Sequence, residues 1–149
     1  MQSMDILRRE FGHFERCDYE KQNKEYEGAV FTLSESKIRI RSRLGKKTLK
    51  KPGYFVAFWE KDETQKNRPF QAINSPEKLV IVLCDSNKRG MFIIPIEVAI
   101  EKQILSTKDQ VGKMAMRFYP PWCSGLNRTA LATQKWQLNY FKDYSDTDF

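Results

Sequence analysis

The sequence has 149 residues, 40% of them hydrophobic, and a formal net charge of +7. A chain of this length buries roughly 70% of its unfolded surface in one core, so it needs no disulfide bonds to fold. Its three cysteines are far apart, it has no CxxC pair and it has a single histidine, which argues against a zinc site and a secreted disulfide framework. Early charges argue against a signal peptide, and no apolar run could span a membrane. We expect one cytoplasmic domain, residues 1–149, without a membrane partner.

The first half of the chain predicts a helix followed by strands. Apolar residues at helical spacing predict an amphipathic helix at the start: Met4, Leu7, Phe11 and Phe14. A polar segment, residues 15–27, separates this helix from a strand at 29–33. A second strand begins at Lys37 and is expected to form an antiparallel hairpin with the first. A lysine-rich loop at 45–53 then leads into a strand at 54–59 that is apolar on both faces.

The second half predicts three more strands and two helices. The strands are at 79–84, 91–96 and 114–119, and a short helix lies at 97–105. Asn127 is expected to cap a final helix whose apolar stripe is Leu131, Gln134, Leu138 and Phe141. The tail after Lys142 is expected to fray. The order of elements predicts a single α+β domain with a central mixed or antiparallel sheet of five to six strands, flanked by N- and C-terminal helices.

Residues 37–51 hold eight basic residues and no acid, so the rest of the chain has a formal charge of −1. On a strand, the alternation places aliphatic side chains on one face and a row of basic side chains on the other. A fixed row of arginines suits a polyanion such as nucleic acid, whose phosphates it can neutralise. The alternative is a solvated edge strand that its charges protect from aggregation. The candidate phosphate-binding residues of this segment are Arg39, Arg41, Arg43, Lys46, Lys47, Lys50 and Lys51.

A second group of candidates combines cations with aromatic rings. It lies in the segment RFYPPW (117–122) and on the final helix, and comprises Arg117, Tyr119, Trp122, Gln134, Lys135 and Trp136. Basic side chains interleaved with exposed aromatics bind nucleic acid or a nucleotide by phosphate pairing and base stacking. The alternative is that the tryptophans are ordinary core residues packed on the sheet.

An enzyme is not the favoured interpretation, because the chain has one histidine and no glycine-rich phosphate loop. The enzymatic alternative is a Mg²⁺-dependent nuclease of the restriction-endonuclease type, with Glu27, Glu60 and Lys61 as its site. The usual acid-any-lysine triplet would need an acid at position 59, where this chain has Trp59. Outside this alternative we expect no cofactor.

Four segments resemble the MepB family of small bacterial proteins: EYEG (25–28), RSRLGKKTLKKPGYFVAFWEKD (41–62), GKMAMRFYPPW (112–122) and TQKWQLNYF (133–141). The resemblance extends from about residue 19 to residue 141. One family member is encoded beside a MarR-type repressor and a multidrug efflux pump. The resemblance implies a bacterial cytoplasmic protein with a nuclease-like α+β fold, a nucleic-acid role and a link to multidrug resistance. It implies no catalytic residue.

The sequence therefore predicts a protein that binds DNA, RNA or a nucleotide through a basic strand and loop. Two alternatives stay open beside it. One is the Mg²⁺-dependent nuclease, and the other is an accessory regulator whose basic face docks on an acidic protein such as a transcriptional repressor.

Overall fold

Two β-sheets of unequal size and a separate hairpin form the framework of the molecule, whose computed structural model describes residues 2–145. The strands are β1 (Phe14–Tyr19), β2 (Ala29–Leu33), β3 (Arg39–Leu44), β4 (Lys46–Lys47), β5 (Tyr54–Ala57), β6 (Trp59–Lys61), β7 (Asn67–Pro69), β8 (Lys78–Asp85), β9 (Lys88–Pro95), β10 (Ala115–Phe118) and β11 (Phe141–Asp143). The helices are α1 (Gln2–Phe11), α2 (Ile96–Glu101) and α3 (Arg128–Gln137). Short 3₁₀ turns lie at Lys24–Tyr26, Ala72–Asn74 and Leu138–Tyr140.

The large sheet has six strands in the order β1-β2-β3-β8-β9-β11. Strands β3 and β8 are parallel, and the other neighbours in this sheet are antiparallel. The small sheet has the order β10-β5-β4, and β6 pairs with β7. The predicted α+β class, with a mixed central sheet between N- and C-terminal helices, is confirmed. The predicted hairpin of β2 with β3 is present, and β8 and β9 form another hairpin.

Strand β8 lies in the middle of the large sheet because both of its faces are apolar. Val80 and Val82 face a core that α1 covers, with Leu7 completely buried against them. Ile81 and Leu83 point the opposite way into a second core. Burying one such side chain contributes about 2 kcal/mol, so both faces of the sheet must be covered.

The small sheet covers the second face of the large sheet through aromatic contacts. The ring of Phe118 on β10 lies 5.2 Å from that of Phe92 on β9 and 5.9 Å from that of Phe58, centroid to centroid. The side chains of α2 and α3 extend the same core, with Ala99 and Trp136 packed into or against it. This packing places β10 and α3 side by side at one end of the molecule.

The end of the described chain is anchored rather than frayed up to residue 145. Strand β11 pairs with β9, and the Tyr144 amide donates to the Arg89 carbonyl over 2.8 Å. The Tyr144 hydroxyl bonds to Glu10, which also pairs with Lys142 at 2.6 Å. The predicted fraying is therefore wrong for residues 143–145, and residues 146–149 lie outside the described residues.

Two further sequence predictions are wrong in detail. Strand β1 occupies the start of the polar segment at 15–27 together with Phe14, which was expected on the first helix but lies on this strand. Four of the six residues of β1 are exposed at the edge of the sheet, which suits their polar character. The predicted stripe of α3 is displaced: Leu131 and Leu138 are exposed, whereas Ala130 and Gln137 are buried. The face of α3 that carries Gln137 points inward because the Gln137 side chain hydrogen-bonds to the backbone of Arg117 and Tyr119.

Within residues 2–145, no helix has both the length and the apolar character that a membrane crossing requires.

Candidate functional site

The predicted row of exposed arginines on β3 is largely inside the protein. The alternation along β3 is as predicted, since Ile40 and Leu44 join the core below α1. The opposite face, however, is covered, and Arg43 is completely buried. Its Nη1 and Nη2 atoms donate to the two carboxylate oxygens of Glu20 over 3.0 and 2.7 Å. The prediction that Arg43 is exposed is therefore wrong.

Arg41 is also covered, with 13% of its side chain exposed. Its guanidinium carbon lies 3.9 Å from the centre of the Phe70 ring, and its nitrogens lie 3.3 Å from Glu20 and 3.9 Å from Glu60. Burial lowers the pKa of Arg41, because water no longer solvates the charge. Arg41 and Arg43 thus form an internal ionic layer, and of the three arginines only Arg39 is exposed.

The three residues of the nuclease alternative have separate surroundings. Glu27 accepts hydrogen bonds from the Gln2 and Ser3 amides, over 3.2 and 3.0 Å, at the start of α1. Glu60 is held by Arg68, whose Nη2 lies 2.8 Å away. Lys61 is exposed. Among residues 2–145, no group of three or more histidine, cysteine, aspartate or glutamate side chains is placed to hold a metal ion. Glu27 is therefore a partner of α1, and Glu60 is a partner of the arginine layer.

An open groove lies between β10, α3 and the end of α2. Its volume is about 390 Å³, and it is lined by Lys102, Lys113, Ala115, Met116, Arg117, Tyr119, Thr133 and Trp136. Three of these residues are cationic, two are aromatic and, within the described chain, none is acidic. The Lys102 ammonium lies 5.2 Å from the centre of the Trp136 ring, so charge and ring face the same space. This groove, named here the basic groove, is the candidate site.

A buried glutamine fixes the shape of the basic groove. The Oε1 atom of Gln137 accepts from the Tyr119 amide, and its Nε2 atom donates to the Arg117 carbonyl, both over 2.9 Å. One turn earlier, Gln134 donates to the Pro120 carbonyl over 3.0 Å. These bonds hold α3 at a set distance from β10 and present Trp136 to the groove. The side-chain amide of Gln134 is therefore engaged in the contact between α3 and the segment after β10.

A basic loop borders this groove. Residues 45–53, named here the basic loop, carry four exposed lysines: Lys46, Lys47, Lys50 and Lys51. The Nη1 atom of Arg117 donates to the Thr48 hydroxyl over 2.9 Å and to the Pro52 carbonyl over 3.3 Å. Gly53 has φ +88°, and a Cβ atom there would lie 2.6 Å from the Tyr119 ring. Arg117 and Tyr119 therefore brace the loop while they line the groove.

A smaller pocket of about 180 Å³ lies beside the basic loop and is lined in part by Lys47, Thr48 and Lys51. Trp122 forms its wall, and its indole nitrogen donates to the Tyr54 hydroxyl over 2.8 Å. That hydroxyl bonds to Asp85 over 2.6 Å; burial, and then this bond, raise the pKa of Tyr54.

Trp122 also packs edge-on against Tyr54 and Phe141. It is therefore part of the wall and of the core, and it is not a free stacking platform.

Three of the predicted residues, Arg117, Tyr119 and Trp136, meet in the basic groove. Lys135 is exposed on α3 but does not line the groove. Lys102 and Lys113 were not predicted. Lys113 could have been found by extending the alternation of β10 upstream. On an extended segment, Lys113, Ala115 and Arg117 lie on the same face because they are two residues apart. Lys102 reaches the site only through the packing of α2, for which the sequence carries no signal.

The fold and the groove define a small α+β protein with an open cationic cleft that aromatic rings line. A family model described as MepB-like matches residues 20–143, so the chain belongs to the MepB-like family. A crystal structure of MepB is similar to this chain with a TM-score of 0.84 and 40% sequence identity, over 96% of this chain and 97% of that chain. No curated protein matches the sequence. The family resemblance seen in the sequence motifs is thereby confirmed.

Proposed function

We propose that this protein binds nucleic acid, with the basic groove and the basic loop as its interface. The observation that carries the proposal is the composition of the groove: among the described residues, three cations, two aromatic rings and no acidic residue line a cleft of about 390 Å³. A polyanion is the partner that such a cleft attracts, because each phosphate that is neutralised releases condensed counterions.

The groove contains both kinds of group that a nucleotide chain needs. Lys102, Lys113 and Arg117 would pair with phosphates, and the rings of Tyr119 and Trp136 would contact bases. Stacking of a base on an aromatic side chain is worth about 1–3 kcal/mol and requires no particular sequence. We therefore expect binding with little sequence preference, in which single nucleotides occupy the same cleft weakly.

The basic loop extends this interface beyond the groove. Its four lysines are exposed, and Arg117 holds the loop against β10. Cations on a braced loop keep their spacing, which favours simultaneous contacts with successive phosphates. Because Arg43 is buried and Arg41 is largely covered, Arg39 and the four lysines of the loop remain as the candidate phosphate contacts from residues 37–51.

The first test is the double variant Lys102→Gln with Lys113→Gln, studied by fluorescence anisotropy with labelled single-stranded DNA, duplex DNA and RNA over a salt series. We expect weaker binding at every salt concentration, and a log Kd against log salt slope that is shallower by about 1 for each lysine removed. Lys113 is exposed, and Lys102 is half-buried with its ammonium over the Trp136 ring, so the variant should unfold at nearly the same temperature as the parent.

The matched control is Lys66→Gln, which removes an exposed cation from the turn between β6 and β7. It should leave the affinity and the salt slope almost unchanged. Equal binding by the parent and by the groove double variant would contradict the assignment of the groove. Binding of an acidic protein, with no binding of any nucleic acid at low salt, would instead support the accessory regulator that docks on a repressor.

Cytoplasmic location and an accessory role in multidrug resistance belong to this proposal through the family resemblance. Both would be supported if the protein and its nucleic-acid partner were recovered together from bacterial cytoplasm during exposure to a drug.

A further inference from the structure

The tip of the basic loop carries a fully exposed apolar side chain. Leu49 has 106% of the reference exposure, the highest value among the large hydrophobic residues of the described chain. Two lysines precede it and two follow it within three residues, at Lys46, Lys47, Lys50 and Lys51. Single exposed leucines are ordinary on protein surfaces, so the surroundings of Leu49 decide whether it has a role.

The loop below Leu49 is held in place at several points. The Thr48 hydroxyl bonds to the Lys51 carbonyl over 3.3 Å, which closes a turn with Leu49 and Lys50 at its tip. Arg117 donates to Thr48 and to Pro52 on either side of this turn. A side chain on such a support does not fold back on the protein, and it meets a ligand without first losing the freedom of a mobile loop.

The loop that carries Leu49 is connected to both nearby cavities. Arg117, which lines the basic groove, donates to Thr48 and Pro52 of the loop. Thr48 and Lys51 themselves line the pocket of about 180 Å³. A nucleotide chain that continues from the groove along the lysines of the loop meets the turn where Leu49 projects.

We infer that Leu49 is a wedge that separates two neighbouring bases of the bound strand. This inference rests on the proposed function and deepens it. Apolar side chains flanked by cations act in this way in other nucleic-acid-binding proteins, where they enter a base step and unstack it. The lysines on each side hold the adjacent phosphates, and Leu49 replaces one base-to-base contact with a base-to-leucine contact.

The test uses single-stranded DNA oligonucleotides that contain 2-aminopurine, whose fluorescence rises when the base loses its stacked neighbour. The parent protein should raise this fluorescence on saturation. The variant Leu49→Ser should lose the rise but keep the salt slope of binding, because all of the lysines remain. Leu131→Ser is the matched control, since Leu131 is 53% exposed on α3 and does not line the groove; it should behave as the parent.

The outcomes separate the two proposals. If the parent binds no nucleic acid in the anisotropy titration, the proposed function fails and the wedge fails with it. If the parent binds, but shows no rise in fluorescence or the same rise as Leu49→Ser, the wedge is overturned and the proposed function stands.

Discussion

Glu20 is the residue on which two covered arginines depend. It receives two hydrogen bonds from Arg43 and lies 3.3 Å from the Nε atom of Arg41. Only 12% of its side chain is exposed, so water cannot replace it as a partner. A buried ion pair contributes little net stability, but the loss of one partner leaves the other charge uncompensated.

We therefore predict that Glu20→Gln lowers the free energy of unfolding by about 3 kcal/mol, because Arg43 loses its carboxylate inside the protein. Urea denaturation followed by circular dichroism would measure this loss. Glu15→Gln is the control, since Glu15 pairs with Lys37 at the surface and should change stability by less than about 1 kcal/mol. Equal effects of the two substitutions would contradict the internal ionic layer.

Gly28 shows how closely this layer is packed. A Cβ atom at this position would lie 2.4 Å from Nη1 of Arg43, so the absence of a side chain at the start of β2 makes room for the guanidinium. The burial of Arg43 thus depends on three separate parts of the chain: strand β3 itself, Glu20 after β1, and Gly28 before β2.

At the scale of elements, the start of α1 depends on a residue from a distant turn. The first amides of a helix have no partner within the helix, and the Glu27 carboxylate accepts from two of them and from the Ser3 hydroxyl. A negative charge at this end also interacts favourably with the helix dipole. Glu27 therefore attaches α1 to the chain just before β2.

We predict that Glu27→Gln lowers the free energy of unfolding by about 1 kcal/mol, because the charge at the start of α1 is lost. Thermal unfolding would measure the change. The same variant should leave nucleic acid as intact as the parent does when Mg²⁺ is added, as judged on a gel. Mg²⁺-dependent cleavage by the parent that disappears in Glu27→Gln would contradict the capping role and favour the nuclease alternative.

The contact between α3 and β10 depends on Gln137 in a similar way. We predict that Gln137→Leu lowers stability by about 2 kcal/mol, because the Tyr119 amide and the Arg117 carbonyl lose their partner inside the protein. It should also weaken nucleic-acid binding, since the groove between the two elements loses its spacing. Hydrogen exchange at the Tyr119 amide, together with the anisotropy titration, would detect both effects.

Lys135→Ala is the control on the same helix. Lys135 is exposed, so its removal should change stability by less than about 0.5 kcal/mol and should leave the exchange of the Tyr119 amide as it is. If the Tyr119 amide exchanged in Gln137→Leu at the same rate as in the parent, the hydrogen bond from this amide to Gln137 would not be what holds α3 against β10.

At the scale of the whole molecule, the α+β class and most strands could be predicted from local patterns. The alternation in β2 and β3 and the turn between β8 and β9 are signals carried by neighbouring residues. Strand order could not be predicted, because the parallel pairing of β3 with β8 joins segments more than thirty residues apart. Strand β1 was missed since an exposed edge strand with alternating charge resembles a polar loop.

The candidate site could be predicted only in part, for a related reason. Local alternation places Arg117 and Tyr119 on one face of β10, and both line the groove. The same alternation could not indicate that Phe70 and Glu20 would cover Arg41, because these partners come from distant parts of the chain. Depth of burial depends on how the sheets pack, whereas the direction of a side chain depends on the strand alone.

The contacts of Glu10 with Tyr144 and Lys142 have a consequence for chain connectivity. They fasten the end of α1 to β11 and to the residue that follows it, although these segments are far apart in the sequence. The first helix therefore gains this attachment only after the last strand of the described chain has been synthesised. Until then, α1 is held through the burial of Leu7 in the core that contains Val80 and Val82. The start and the end of the described chain thus complete one another's packing.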